Sequence, residues 1–333
     1  MLENKAISKL KDKKNLLAFS GGVDSSALFF LLLQHDIKFD IAIVNYGVRE
    51  QSQDEVAYAK KLALTHNLTC HVKNAEKIEK NFEASAREIR YNFFEELITK
   101  YRYDNLITAH HLGDRFEWML MQFCKGAGCA EIAGMTREQN RGSYTLIRPL
   151  LHLDKQELLT YLNADDKKYF EDETNLDEDI KRNNFRHNYS TPLLEKYLAG
   201  IKKSFDYIDE DRESLLHDIE IKTINEFAYF TSSQNQRADI FAIDKYLKSK
   251  LYMPSASERE LLKNEKTTVL GRQFVVNTDR GFMFIAPFVT EDLQMPHKFK
   301  ERCRVLKIEP KLRLHLYKNT EAFLKIEELL GSV

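Results

Sequence analysis

The sequence predicts an α/β protein: a mostly parallel sheet with helices on both faces, followed by a smaller mixed α/β C-terminal domain. Three observations carry that prediction. Short apolar runs alternate with longer amphipathic stretches through the first 150 residues. After Pro149 the alternation stops, and a charged, helical region leads to a few short strand-like runs. Hydrophobic residues make up 43% of the 333, against 12 Gly and 6 Pro, which supplies a core and excludes collagen-like or low-complexity chain.

Taken in order, Leu16–Phe19, Ile41–Tyr46, Leu68–Val72, Leu106–Ala109 and Tyr144–Ile147 read as buried strands. Between them, Ser26–Gln34, Asp54–His66, Glu83–Tyr101 and Asp114–Lys125 carry apolar residues at helical spacing. Each strand–helix–strand step is a crossover, so the strands run parallel and ligands bind beyond their carboxyl ends. Lys155–Leu162 is a short helix, and Ile201–Phe230 reads as a long charged helix. Thr268–Leu270, Gln273–Val276 and Phe282–Ile285 are strand-like, with a turn signal at Arg280-Gly281. The expected organisation is a first domain over 1–200, a helical connector over 201–230 and a C-terminal domain over 231–333.

The longest uninterrupted apolar run, Ala27–Leu33, has seven residues, far short of the ~20 that span a bilayer. The polar N-terminus lacks the apolar stretch of a signal peptide. Four Cys with no CxxC argue against a disulfide scaffold or a Cys₄ zinc site. The expectation is a soluble cytoplasmic protein without a membrane partner. With 50 Lys+Arg against 51 Asp+Glu, any polyanion partner must be met by local basic surface. Lys298–Arg313, with seven basic and two acidic residues, is the densest such segment outside the first half, and its alternation around Val305, Ile308 and Leu312–Leu316 suggests strands with one charged face.

Leu16–Phe19 runs directly into Ser20-Gly21-Gly22-Val23-Asp24-Ser25-Ser26, which opens a helix. Two glycines allow a sharp turn that brings backbone N–H groups close to an anion. The serines add donors, and the helix directs its positive end at the same point. This is a phosphate cradle without the Lys of GxxxxGK[ST]. Asp24 either organises a cation or attacking group beside the phosphates or caps the helix. Asp114 and Glu117, three apart, share one face of a helix that starts just past the fourth strand. Arg87 and Arg90 do the same on the Glu83–Tyr101 helix, facing either phosphates or neighbouring glutamates. His110 and His111 lack a third ligand at metal spacing, so no zinc site is expected.

SGGVDSS resembles the signature loop of the PP-loop, or N-type ATP pyrophosphatase, superfamily. Further segments resemble the lysidine synthetase family within it. These are Ile43–Arg49 with Ser52, Phe82–Tyr91, Thr108–Glu117, Lys125–Gly128, Arg148–Leu151, and Glu171–Asn175 followed by Arg182, Asn183 and Arg186. Their order and spacing agree over some 180 residues, from about 15 to about 195. Five positions depart from the family pattern, beginning with Ile43 and Tyr46, which stand where it has His, and Gly113, where it has the first of two Asp. Arg115 and Trp118 replace its Gln and Thr.

The resemblance implies a Rossmann-like, adenine nucleotide alpha hydrolase-like fold and a ligase reaction on tRNA. ATP, with Mg²⁺, adenylates the C2 oxygen of the wobble cytidine in the CAU anticodon of tRNA(Ile), and L-lysine then displaces AMP. Asp24, Asp114 and Glu117 become catalytic residues, with ATP on Ser20–Ser26 and lysine on Asp114 and Glu117. The tRNA is expected on Arg87, Arg90, Arg182 and Arg186, and on Lys298, Lys300, Arg302 and Arg304 of the C-terminal domain. A homodimer is a further expectation. The alternatives are a sulfur-inserting PP-loop enzyme, which would need the absent CxxC pairs, and a non-catalytic nucleotide- or tRNA-binding relative.

Overall fold

The computed structural model describes residues 1–47, 51–76, 78, 82–171, 181–215, 219–291 and 293–331, in two compact units, Met1–Asp209 and Glu210–Val333. The first unit holds β1 (Asn15–Ala18), β2 (Phe39–Asn45), β3 (Cys70–Asn74), β4 (Asn105–Ile107), β5 (Glu138–Asn140) and β6 (Thr145–Ile147). They lie in the order β3-β2-β1-β4-β6-β5, all parallel except β5, which runs antiparallel to β6. The apolar-run reading has no β5, because Glu138-Gln139-Asn140 is polar throughout and an edge strand needs only its backbone.

Side-chain alternation covers both faces of this sheet. Leu17, Ile41, Ile43, Ile107 and Ile147 pack in one core with Leu28, Leu32, Val56 and Leu158, which come from the helices Val23–Gln34, Gln51–Thr65 and Lys155–Ala164. Leu16, Ala42, Leu106 and Leu146 pack on the opposite face against Phe93, Phe94 and Leu97 of the Phe82–Tyr101 helix. Leu17 and Ile107 are wholly buried, so truncating either to Ala costs about 2–5 kcal/mol. Strand order reverses between β1 and β4, and the loops leaving those two strands bound the crevice where this architecture binds ligands.

The Leu112–Phe123 helix follows β4. Against it packs a helical run of Lys181–Phe185, a π-helical turn Arg186–Ser190 and the helix Thr191–Leu215, with Leu112, Phe116 and Phe205 at the centre of the contact.

The second unit is a five-stranded antiparallel sheet of β7 (Lys222–Ile224), β8 (Phe227–Thr231), β9 (Thr267–Leu270), β10 (Phe274–Asp279) and β11 (Phe282–Pro287), ordered β7-β8-β11-β10-β9. Phe227, Val275 and Phe284 face one apolar core, and Phe230, Val276 and Ile285 the other.

Two expectations are corrected here. The segment 201–230 is not a helical connector throughout: the helix ends at Leu215, and β7 and β8 form a hairpin around Asn225-Glu226, with Asn225 at φ +53. Lys298–Arg313 does not form strands with one charged face but parts of two helices, His297–Val305 and Pro310–Lys318. Phe299, Cys303 and Leu306 pack against the apolar core at a spacing of four and three, the helical period that the charge alternation masked.

Candidate active site

The loop after β1 is shaped by its own side chains. Gly21 holds φ +80, and a Cβ there would stand 3.3 Å from the Phe170 ring and 3.6 Å from Glu55 Cβ. Phe170 N–H donates to Gly21 O at 2.9 Å, which ties the loop to the segment after the Lys155–Ala164 helix. The Ser25 hydroxyl accepts from Ser20 N–H and donates to Gly22 O, both at 3.2 Å, and the Ser26 hydroxyl donates to Gly21 O at 3.2 Å. Ser25 and Ser26 therefore build the loop from inside, and the exposed Ser20 joins them through its hydroxyl, which bonds Ser25 Oγ at 3.1 Å and accepts from Gly22 N–H at 3.4 Å. Gly22, not Asp24, is the N-cap; lacking a side chain, it leaves the amides of Val23 and Asp24 open to an anion.

Asp24 sits in the first turn of this helix with Oδ1 buried and without a hydrogen-bond partner among the described residues. Burial pushes its carboxyl above the ordinary range, while His111 pulls the other way. Lys155, at the start of its helix, and Arg186 also act on this charge.

The second loop brings the remaining groups. His111 caps the Leu112–Phe123 helix: its Nδ1 accepts from Gly113 N–H at 3.0 Å, and Asp114 Oδ2 accepts from His111 N–H at 3.0 Å. The imidazole Nε2 thus points between Asp24 Oδ2 at 3.8 Å and Asp114 Oδ2 at 3.7 Å. Burial opposes the Asp114 charge, but His111 and Arg182 outweigh it and hold that carboxyl well below the usual range. His110, bonded to Thr108 Oγ1 at 3.0 Å, is pushed down to about 4 by burial and is neutral at physiological pH.

Asp114 and Glu117 do share a helix face, and two arginines occupy it. Arg182 reaches Asp114 Oδ1 at 2.6 Å and Glu117 Oε2 at 3.0 Å, while Arg186 reaches Glu117 Oε1 at 2.5 Å and Oε2 at 3.1 Å. Glu117 is 1% exposed. Arg182 and Arg186, anticipated on tRNA phosphates, are turned to carboxylates here.

Arg87 is exposed, with its guanidinium 4.8 Å above the Tyr91 ring, and its charge reaches His110. Arg90 is exposed near Tyr46. In the second unit, Lys298 and Lys300 are exposed, Arg302 is paired with Glu327, and Arg304 bonds Glu301 at 2.6 Å. Val48, Arg49 and 172–180, hence Asp172 and Asn175, lie outside the described residues.

The departures have physical readings. Ile43 is buried in the β2 core, and Tyr46 Oη donates to Ala86 O at 2.9 Å. A Cβ on Gly113 would stand 2.6 Å from His111 Cε1, so the imidazole occupies the space a side chain would need. Sequence reasoning missed His111 as an organiser, for which its place immediately before an apolar helix is the signal. It also missed Arg115, 1% exposed, which donates to Ala133 O at 3.0 Å and to Asp209 at 2.5 and 2.9 Å.

A family model described as a PP-loop domain matches residues 2–193. The tRNA(Ile)-lysidine synthase of Helicobacter pylori is 42% identical over 93% of this chain and 91% of its own length. That of Campylobacter jejuni is 41% identical over 95% and 96%, and that of Wolinella succinogenes 43% over 93% and 94%. Among solved structures, a U34-tRNA thiolase from Methanococcus maripaludis superposes with TM-score 0.52 at 18% identity, covering 65% of this chain and 78% of that one, which shows shared fold alone. With both the phosphate-loop domain and nearly full-length relatives in agreement, the chain belongs to the tRNA(Ile)-lysidine synthase family of PP-loop enzymes.

Proposed function

We propose that this enzyme converts the wobble cytidine of the CAU anticodon of tRNA(Ile) to lysidine at the β1/β4 crevice. The observation that supports it, beside family membership, is an uncapped helix N-terminus with the Asp24 carboxylate in its first turn, whose Oδ1 has no hydrogen-bond partner among the described residues, facing a carboxylate–arginine cluster across that crevice.

In the first step the cytosine C2 oxygen attacks the α-phosphorus of ATP and pyrophosphate leaves. The open amides after Gly22 receive the phosphate charge that develops. Lys155 adds a cation nearby. Mg²⁺ fits the Asp24 oxygen that has no partner among the described residues, since this ion is held mainly by phosphates and water with one or two carboxylates. When bound, it would neutralise phosphate charge.

In the second step the lysine ε-amine, freed of a proton, attacks C2 and AMP departs with the C–O electrons. Lysine arrives carrying two ammonium groups and one carboxylate. Asp114 and Glu117 bind the α-ammonium, and the α-carboxylate takes over a guanidinium of Arg182 or Arg186 in exchange. Insertion of that kind leaves neither charge of the α-carbon end unpaired, which a lone cation could not achieve. Asp24, with Oδ2 3.8 Å from His111 Nε2, accepts the proton that the ε-ammonium gives up before attack. The tRNA lies along Arg87 and Arg90, with Lys298 and Lys300 supplying phosphate contacts from the C-terminal unit and the paired Arg302 and Arg304 lesser ones. Action on tRNA sets the cytoplasm as the site of work, and nothing in the chemistry requires a second copy of the chain.

The test is product release. ATP plus tRNA(Ile) should yield pyrophosphate, and AMP should follow only when lysine is added. Pyrophosphate release without RNA, or AMP release without lysine, would contradict the scheme.

A further inference from the structure

The chain has one tryptophan, Trp118, and it is 44% exposed, an unusual place for so large an apolar side chain. It follows Glu117 directly and lies four residues beyond Asp114, on the same side of the Leu112–Phe123 helix and about one turn, ~5.4 Å, from the carboxylate cluster. Its indole rests against Gly134, which holds φ +64 and where a Cβ would stand 2.8 Å from Trp118 Cδ1. The ring is thus seated on a glycine backbone and still presents nearly half its surface to solvent. At the end of β4, just before this helix, the exposed Arg87 acts on His110, a positive charge open to a phosphate backbone.

We infer that Trp118 is a stacking platform for an unpaired base of the RNA substrate, a neighbour of the target cytidine in the anticodon loop. This rests on the tRNA substrate proposed above. A cytidine whose C2 oxygen reacts must leave its neighbours' stack, and proteins that read single-stranded loops replace such lost stacking with aromatic side chains. An exposed indole one turn from the reacting cluster and backed by a glycine fits that need. The adenine of ATP is the competing occupant.

The sole tryptophan makes the test direct, because its emission reports on this position alone. The full-length protein is titrated with an anticodon stem-loop RNA carrying CAU, with ATP and with lysine, and binding of the RNA is followed independently by anisotropy of a label on its stem. Quenching by the stem-loop, and not by ATP or lysine alone, is expected. Trp118→Leu should weaken stem-loop binding about 10- to 100-fold, and Trp118→Phe should restore most of it. The melting temperatures of both variants are measured alongside. RNA that binds wild type without changing the emission, quenching by ATP alone, or a folded Trp118→Leu protein with wild-type RNA affinity would overturn the inference while leaving the proposed reaction intact. Stem-loop RNA that does not bind wild type at all would overturn both.

Discussion

The Leu112–Phe123 helix carries buried charge on two sides, and the two sides differ in balance. On one, Arg115 is matched by Asp209 and Ala133 O and lies 4.3 Å over the Phe205 ring. On the other, the carboxylates of Asp24, Asp114 and Glu117 face the guanidinium groups of Arg182 and Arg186, and Asp24 Oδ1 has no hydrogen-bond partner among the described residues. A matched cluster has nothing to offer a ligand; it fixes the helix against Thr191–Leu215. An unmatched one is left for an incoming cation or zwitterion to complete. Buried charge therefore marks a site when it is incomplete, more than when it is merely present.

Substitutions on the two sides should separate accordingly, and the largest effect belongs to Asp24→Asn. Lysidine formation should fall about 10²- to 10⁴-fold. Stability should move the opposite way. Because burial raises its carboxyl, the folded state binds the proton more tightly than the unfolded chain. That stabilisation is complete below the ordinary carboxylate pKa and is lost as pH rises through the folded value. At neutral pH the ionised Asp24 is a cost that Asn removes, so the variant should melt slightly higher than wild type near pH 7, with the difference vanishing in acid. Equal activity, or a lower melting temperature at pH 7, would break the contrast.

Glu117→Gln comes next. It takes from both arginines a partner that is 1% exposed, and about 3–5 kcal/mol of stability should be lost, read from urea unfolding. In the fraction that stays folded, the KM for lysine should rise far more than that for ATP. Arg115→Gln should cost about 1–3 kcal/mol, since the Asp209 left behind is partly exposed. At a temperature where that variant is folded, its kcat should match wild type; a specific catalytic defect would place the matched cluster in the site after all.

The smallest effect is expected in the second unit. Replacing Lys298 and Lys300 with Gln should lower the slope of log K against log salt in tRNA filter binding by just under about one unit for each phosphate deprived of its lysine. Arg302 and Arg304, held by Glu327 and Glu301, should contribute less.

What could be read from the residues followed their range in sequence. The phosphate loop and the Thr108–Glu117 segment were legible because turn, cap and helix lie within a few positions of one another. The arginine pairing was not, because Arg182 and Arg186 are more than 60 residues from Glu117 and only the packing of two helices brings them there. Asp209 stands 94 residues from Arg115 and was hidden for the same reason. Glu138–Asn140 hid as a strand because it buries nothing apolar. Lys298–Arg304 imitated a strand because alternating charge was more conspicuous than the helical spacing of Phe299 and Cys303.

The most direct measurement is mass spectrometry of nucleosides from a tRNA(Ile) transcript incubated with ATP and lysine, run in parallel with wild type, Asp24→Asn and Arg115→Gln. Lysidine should form with wild type and with folded Arg115→Gln and be absent or nearly so with Asp24→Asn. Cytidine left unchanged by wild type, a sulfur-bearing product, or undiminished lysidine from Asp24→Asn would contradict the proposed site.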